Sequence, residues 1–450
     1  MSNRAAEAMA RRTHADAGGI TDTLFLNGVA LLGALLGLAN VALAWLLFGS
    51  SADVDLWMMA LVLSQAFMVL SQLGVEQVAV FSARARAGSP AEGACFDRDC
   101  LSWALMFGGG FALLVLWALP LVVSLCAQGF DAPTQGRLAT ALAPLLLQVA
   151  AAPGLYVLRQ QLLLDQRARW SVALGQALGA LQCLLLLVAW ALAVHQPERL
   201  AWALGVGSLA LTLACVLVLG ARGAGRQLPH WQSLLAFVRA SVALRLTHSA
   251  HNFLVVLVTN AALSGGLAGS VAMFQSIKRV ADGLSSIAVG PHLGVYHAAQ
   301  ATAWTARDRG AFLRHMHSYA RTALPLLAAG SALFLMGTLA YGAWTGDARC
   351  QWNSTEVALL LLLLAWQTLI AVETVAAGVL ALDNRAGWLL LVNAIYILVF
   401  FAAVQWLLPR PTSGVGVAAV SLACQLASFC LFSLVAWRLA RRHFAGVPHA

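Results

Sequence analysis

Charge is what this chain has least of. Asp, Glu, Lys and Arg make up only 10% of its 450 residues, against about a quarter in a soluble globular protein. So few charges cannot cover the surface of a soluble protein of 47.4 kDa, which excludes that class. Lysine is almost missing: Lys278 is the single one among 27 basic residues. The net charge of +9 rests on arginines scattered through short loops, which speaks against a nucleic-acid partner. The eight cysteines show neither a CxxC pair nor zinc spacing, which excludes the common structural metal frameworks. Residues 1–22 hold Arg4, Arg11 and Arg12 but no apolar core, so no cleavable signal peptide is expected there.

What the chain does have is apolar length. It is 61% hydrophobic with a mean hydropathy of +0.80. A membrane-crossing helix needs roughly 20 mostly apolar residues. Twelve stretches qualify, at about 24–48, 56–81, 101–126, 138–163, 170–194, 200–220, 242–263, 269–291, 319–344, 356–381, 387–408 and 413–437. The expected fold class is an all-α integral membrane protein.

The chain is also written twice. Leu164-Asp165-Gln166-Arg167-Ala168-Arg169-Trp170 recurs as Leu382-Asp383-Asn384-Arg385-Ala386-Gly387-Trp388, 218 residues later. Adding that offset to the first six span starts lands on or near the last six. Six spans per half return each half to its starting side. The halves should therefore be parallel repeats about an axis along the membrane normal, around a central cavity. The expected division is a tail at 1–22, a first half at 23–220, a linker with an interfacial helix at 221–240, a second half at 241–437 and a tail at 438–450. Placing both termini in the cytoplasm puts 20 Lys and Arg on that side and 4 outside, as the positive-inside rule requires.

Two polar joints stand out. Around 221–226, glycines and arginines form the linker, whose spacing fits neither nucleotide-binding fingerprint. Beyond it Trp231, Leu234, Leu235 and Val238 make an i, i+3, i+4, i+7 stripe suited to a helix lying in the interface. At 297–318, Arg307, Asp308, Arg309, Arg314, His315 and His317 surround Ala311-Phe312-Leu313 and also read as a short surface helix. The two histidines lack a further nearby ligand, so a solvated helix face explains them better than a metal.

Ionisable groups inside spans are costly and therefore candidate functional groups. In the eighth span Gln275, Lys278, Arg279 and Asp282 fall at i, i+3, i+4 and i+7 on one helix face. Asp282 can pair with Lys278, leaving Arg279 as the free charge. The group either lines a wet cavity between the halves or braces packed helices. In the seventh span Arg245, His248 and Asn252 share a face beside His251. Arg245 either joins the cavity or snorkels to the interface; His248 and Asn252 either contact a ligand or bond between helices. Gln65, Gln72 and Glu76 share a broad face of the second span, and Glu373 lies in the tenth. Asp282, Glu76 and Glu373 are the candidates for gating or ion coupling. The interior is mildly positive, which suits a pyrophosphate gripped by arginine.

The chain resembles the MOP exporter superfamily, which unites multidrug exporters with flippases for lipid-linked saccharides. Gly49, Ala52, Asp55, Ala60 and Leu73-Gly74-Val75 are similar to the first-to-second-span region of its polysaccharide-flippase branch, of Wzx type or MurJ/MviN-like. The two heptapeptide joints, and the stretches Met273–Pro291 and Ala311–Pro325, resemble that branch too. The first span carries no charge between Leu24 and Phe48, unlike the lipid II branch, so another undecaprenyl-pyrophosphate-saccharide is the expected substrate. The resemblance implies alternating access in a bacterial inner membrane, no enzymatic step, and no cofactor beyond coupling to a cation gradient or membrane potential. It implies a polysaccharide polymerase or glycosyltransferases as partners. The basic cavity residues of the family map to Lys278 and Arg279, with Arg245. A cation-coupled drug exporter of the same fold is the alternative. A membrane glycosyltransferase or polymerase fits less well, because acids in the outer loops are few (Asp53, Asp131, Glu198, Asp347).

Overall fold

The computed structural model describes residues 20–49, 52–75, 78–165, 167–219, 251–345, 352–382, 386–408 and 412–445, with Leu235 and Val238. Among them there is helix and turn but no strand. A helix occupies each of the twelve expected spans. In order they are Ile20–Phe48, Ala52–Ser71, Pro90–Trp117, Ala132–Leu164, Ala168–Ala191, Pro197–Leu219, His251–Ser264, Ser270–Thr305, Arg309–Thr345, Ser354–Leu382, Ala386–Leu407 and Gly414–Phe444. Among the described residues nine of these are long and apolar enough to cross a membrane by themselves. The seventh and eleventh contribute shorter apolar helices, and the eighth is long but carries Lys278, Arg279 and Asp282. Ala52 and Ser270 are 218 residues apart, as are Ala168 and Ala386, so the repeat seen in the letters is a repeat of helix starts.

Three boundaries differ from the sequence reading. The second span stops at Ser71, followed by a tight turn at Gln72–Gly74. Residues 82–100, between the expected second and third spans, are largely helical: Val78–Gly88 is one helix, and the third span begins at Pro90. The reason is local. Ser89 Oγ accepts the Glu92 amide at 3.1 Å while Pro90 occupies the first helical turn, a strong start signal. The third span in turn ends at Trp117, and a short helix, Leu119–Cys126, follows. Third, 297–318 is no separate surface helix. The eighth span runs on to Thr305, turns at 306–308, and the ninth begins at Arg309, capped by Asp308 Oδ1 on the Ala311 amide at 2.8 Å. The extension persists because its apolar face has partners: Trp304 packs on Phe312 and Phe444, with ring centroids 5.8 and 5.5 Å away. The linker and most of its interfacial helix lie outside the described residues, although Leu235 and Val238 are helical.

Packing is dense in the first half. The third span lies against the fourth where Gly108 meets the Ala150 carbonyl and Pro153, an approach no side chain would permit. Gly205 of the sixth span meets the Pro144 carbonyl in the same way. One apolar core joins the halves, with Trp57 of the second span and Phe274 of the eighth among its fully buried members.

The first heptapeptide joint is pinned by charge. The fourth span ends at Leu164, Asp165 takes a 2.6 Å ion pair from Arg86, and Arg86 also holds Asp97 at 2.6 Å. Ser82 donates to the same Asp97, and the fifth span restarts at Ala168. At the second joint helices stop at Leu382 and restart at Ala386; residues 383–385 lie outside the described residues.

Candidate functional site

The halves are fastened at one end by a residue of the second span. Asp55 is only 3% exposed. Its carboxylate accepts the backbone amides of Gly269 at 2.6 Å and Ala272 at 2.7 Å. These are amides of the first turn of the eighth span, which have no carbonyl partner within the helix and carry the positive end of its dipole. An anionic side chain supplied from the other half satisfies both. Gly269 has φ +90°, the left-handed region that glycine adopts without strain. Nearby Ser264 Oγ accepts the Gly129 amide at 3.0 Å, and the Trp45 indole donates to Ser276 Oγ at 2.9 Å. This end of the interface is closed.

Farther along the same interface the packing opens into a cavity of about 210 Å³ between the second, seventh, eighth and tenth spans. Gln65, Asn252, Gln275, Lys278, Arg279 and Asp282 supply its polar wall. Lys278 Nζ lies 2.6 Å from Asp282 Oδ2 and 5.7 Å from the centre of the Trp366 ring. The other Asp282 oxygen accepts the Gln367 amide. The Lys278 and Asp282 side chains remain 25% and 42% exposed, so the pair is accessible rather than sealed among packed helices. Among the described residues the hydrogen bond of Arg279 is a long one, 3.4 Å to Gln65 Oε1. The described wall thus holds two cations against one carboxylate, with the guanidinium the less engaged of the two.

Other candidates sort differently. Gln275 is buried and donates to Asn260 Oδ1 at 2.9 Å, so it links the eighth span to the seventh at the cavity wall. Glu373 does not line the cavity. It accepts the Gln425 amide at 2.6 Å, and Gln425 in turn accepts the Trp366 indole at 3.1 Å. Trp366 therefore connects the cavity wall to a half-buried carboxylate behind it. Arg245, His248 and Glu76 lie outside the described residues. Among the described residues no group of His, Cys, Asp or Glu could hold a metal ion.

Three participants escaped the sequence reading. Asp55 entered the sequence reading only as part of the family resemblance, with no role or partner, because an acid in a first helical turn needs no distant explanation. Trp366 and Gln367 were hidden in an apolar run, although a lone amide at that depth is itself a signal.

No family model and no curated protein sequence matches the chain. Solved structures do. The lipid II flippase MurJ in an inward closed conformation is 12% identical, with a TM-score of 0.70 over 94% of this chain and 90% of that one. An inward-facing multidrug-resistance MATE transporter of the MOP superfamily is 13% identical, with a TM-score of 0.68 over 94% of this chain and 100% of that one. An outward-facing MATE transporter of the same superfamily is 14% identical and fits less well, with a TM-score of 0.57 over 93% and 96%. The chain has the fold of these MOP superfamily transporters.

Proposed function

We propose that the protein is a flippase that carries a lipid-linked saccharide, an undecaprenyl-pyrophosphate-saccharide, across a bacterial inner membrane for cell-surface polysaccharide synthesis. The head enters the cavity from the arginine-rich, cytoplasmic side while the prenyl tail stays in the bilayer. The observation that carries this reading is Arg279: a guanidinium on the cavity wall with one long hydrogen bond, whose neighbour Lys278 is already paired with Asp282. Burying such a charge is worthwhile where an anion arrives to meet it, and arginine holds phosphate oxygens with paired, charge-assisted hydrogen bonds. Arg245 and His248, which share helix-face spacing with Asn252 in the sequence, are proposed as further contacts for the substrate. The likeness to MurJ and to inward-facing MATE structures supports alternating access, with Asp55 fastening the outer end until the halves rock. No covalent step is involved; a polymerase or glycosyltransferases act before and after it.

The test is the double variant Lys278→Gln, Arg279→Gln. Surface saccharide should be lost while the protein still inserts and purifies as a folded species. Undiminished export by that variant overturns the reading.

A second reading, a cation-coupled drug exporter, is favoured by the MATE likeness and by Glu373 behind Trp366. Drug efflux driven by an imposed proton or sodium gradient, abolished by Glu373→Gln, would replace the first.

A further inference from the structure

A second cavity among the described residues is larger than the charged one. A groove of about 480 Å³ lies between the ninth, tenth and twelfth spans. Leu313 and Ala320, Val375 and Val379, and Phe429 and Trp437 form its walls. That volume falls within the range of roughly 300–1,000 Å³ typical of ligand sites. The groove exists because the ninth span stands off from the tenth, whereas its counterpart, the third, is drawn onto the fourth through Gly108.

Two observations define it. The first is its wall. Tyr319 donates to the Ala371 carbonyl at 3.2 Å, and Tyr296, Ala323 and Leu327 pack around the pair. This cluster ties the ninth span to the eighth and tenth, and Tyr319 is itself part of the groove's wall. The second is charge. The ninth and twelfth spans contain no Asp or Glu over their whole length. Arg441 lies over the Trp437 ring at 5.6 Å, at the groove's edge. His317 lines the groove, and Arg309 sits one turn before Phe312 and Leu313 on the same helix face. The acids close to the groove are engaged: Asp308 caps Ala311, and Glu373, beside the lining residue Val372, accepts the Gln425 amide. Basic pockets between membrane helices suit anionic headgroups.

We propose that this groove binds one anionic bilayer phospholipid, with an acyl chain between the three spans and the phosphate against Arg441, His317 and Arg309. The site is distinct from the transport cavity, and it belongs to the second half alone.

Native mass spectrometry of the purified full chain tests it, with phosphatidylglycerol or phosphatidylcholine added to the detergent micelle. Wild-type protein should retain one phosphatidylglycerol, with at least fivefold preference over phosphatidylcholine. Arg309→Gln with Arg441→Gln should erase the preference, and Ala440→Trp, which fills the groove, should erase retention. Phosphatidylglycerol with a photoreactive tail should label 313–324 and 429–440, a readout that needs no variant. The Lys278→Gln, Arg279→Gln protein should retain the lipid as wild type does, which separates this site from the transport reading. Equal retention of both lipids by wild type, or labelling only outside those segments, overturns the proposal.

Discussion

The second and eighth spans are the same element twice. They start 218 residues apart and meet across the interface between the halves. Yet the positions that carry Gln275, Lys278, Arg279 and Asp282 in the eighth correspond to Trp57, Ala60, Leu61 and Ser64 in the second, all fully buried. Ser64 has turned its hydroxyl back to the Leu61 carbonyl at 2.8 Å, so that hydroxyl is satisfied within its own helix. One copy is core and the other is wall. The duplication supplies two helices with one backbone position, and the side chains divide the labour. The second span closes the interface, and the eighth gives the cavity its charge.

The sharpest way to break that comparison is to put the charge in the wrong copy. Ala60→Lys places an ammonium group in a packed position with no carboxylate partner. Insertion scales set the cost of such a group at mid-helix at ~2.5–3.5 kcal/mol or more. The variant should be recovered mainly as aggregate on size-exclusion chromatography after extraction. The reverse exchange, Lys278→Ala with Asp282→Ser, should stay monodisperse, because that pair is accessible rather than sealed among packed helices. Monodisperse Ala60→Lys protein would mean that the two faces do not differ in packing.

How much of this could be read from the letters follows the same division. The twelve helices and the halfway repeat are long-range averages of hydropathy, which survive local error. The eighth-span face was legible because charges in an apolar run have a period, and the Lys278–Asp282 pair needs only i, i+4 spacing. What could not be read were the bonds between halves. Asp55 meets Gly269 and Ala272 across more than 200 residues, and nothing near Asp55 in sequence marks that destination. Glu373 was visible as an in-span acid, but its partner Gln425 lies two spans away. The extent of the eighth and ninth helices was hidden as well. Polar letters at 297–318 suggested a surface helix, whereas Trp304 and Phe312 find tertiary partners that keep the two helices going.

A middle-sized effect tests the contact where the two copies meet. Asp55→Ala removes a carboxylate from two helix-start amides, a loss of about 0.5–2 kcal/mol by analogy with capping residues. If that contact exists only in the arrangement seen here, the loss shifts the two-state balance toward outward opening, by roughly tenfold at 1.4 kcal/mol. Spin labels at Gln128 and Thr412, which line a small cleft at the closed end, should show a longer-distance population in Asp55→Ala. Unchanged distances would assign Asp55 to helix stability alone.

The smallest expected effect compares how the two copies are tied at their opposite ends. Arg86 and Trp304 are also 218 residues apart. In the first half the tie is ionic: Arg86 bridges Asp97 and Asp165. Burial works against the Arg86 charge, but the hydrogen bonds to Asp97 and Asp165 outweigh it and hold its pKa above the ordinary guanidinium range. In the second half the tie is aromatic: the Trp304 ring stacks on His443 at 4.0 Å, with Phe312 and Phe444 around it. Partly exposed ion pairs contribute about 0.2–1 kcal/mol each and are screened by salt, whose Debye length falls from about 10 Å at 0.1 M to about 3 Å at 1 M. Arg86→Gln should therefore lower the melting temperature slightly at low salt, and the gap to wild type should narrow as salt rises. Trp304→Ala removes packing rather than charge, so its deficit should hold at every salt concentration. A salt-independent Arg86→Gln deficit would show that the arginine stem's packing, not its charge, ties the first half.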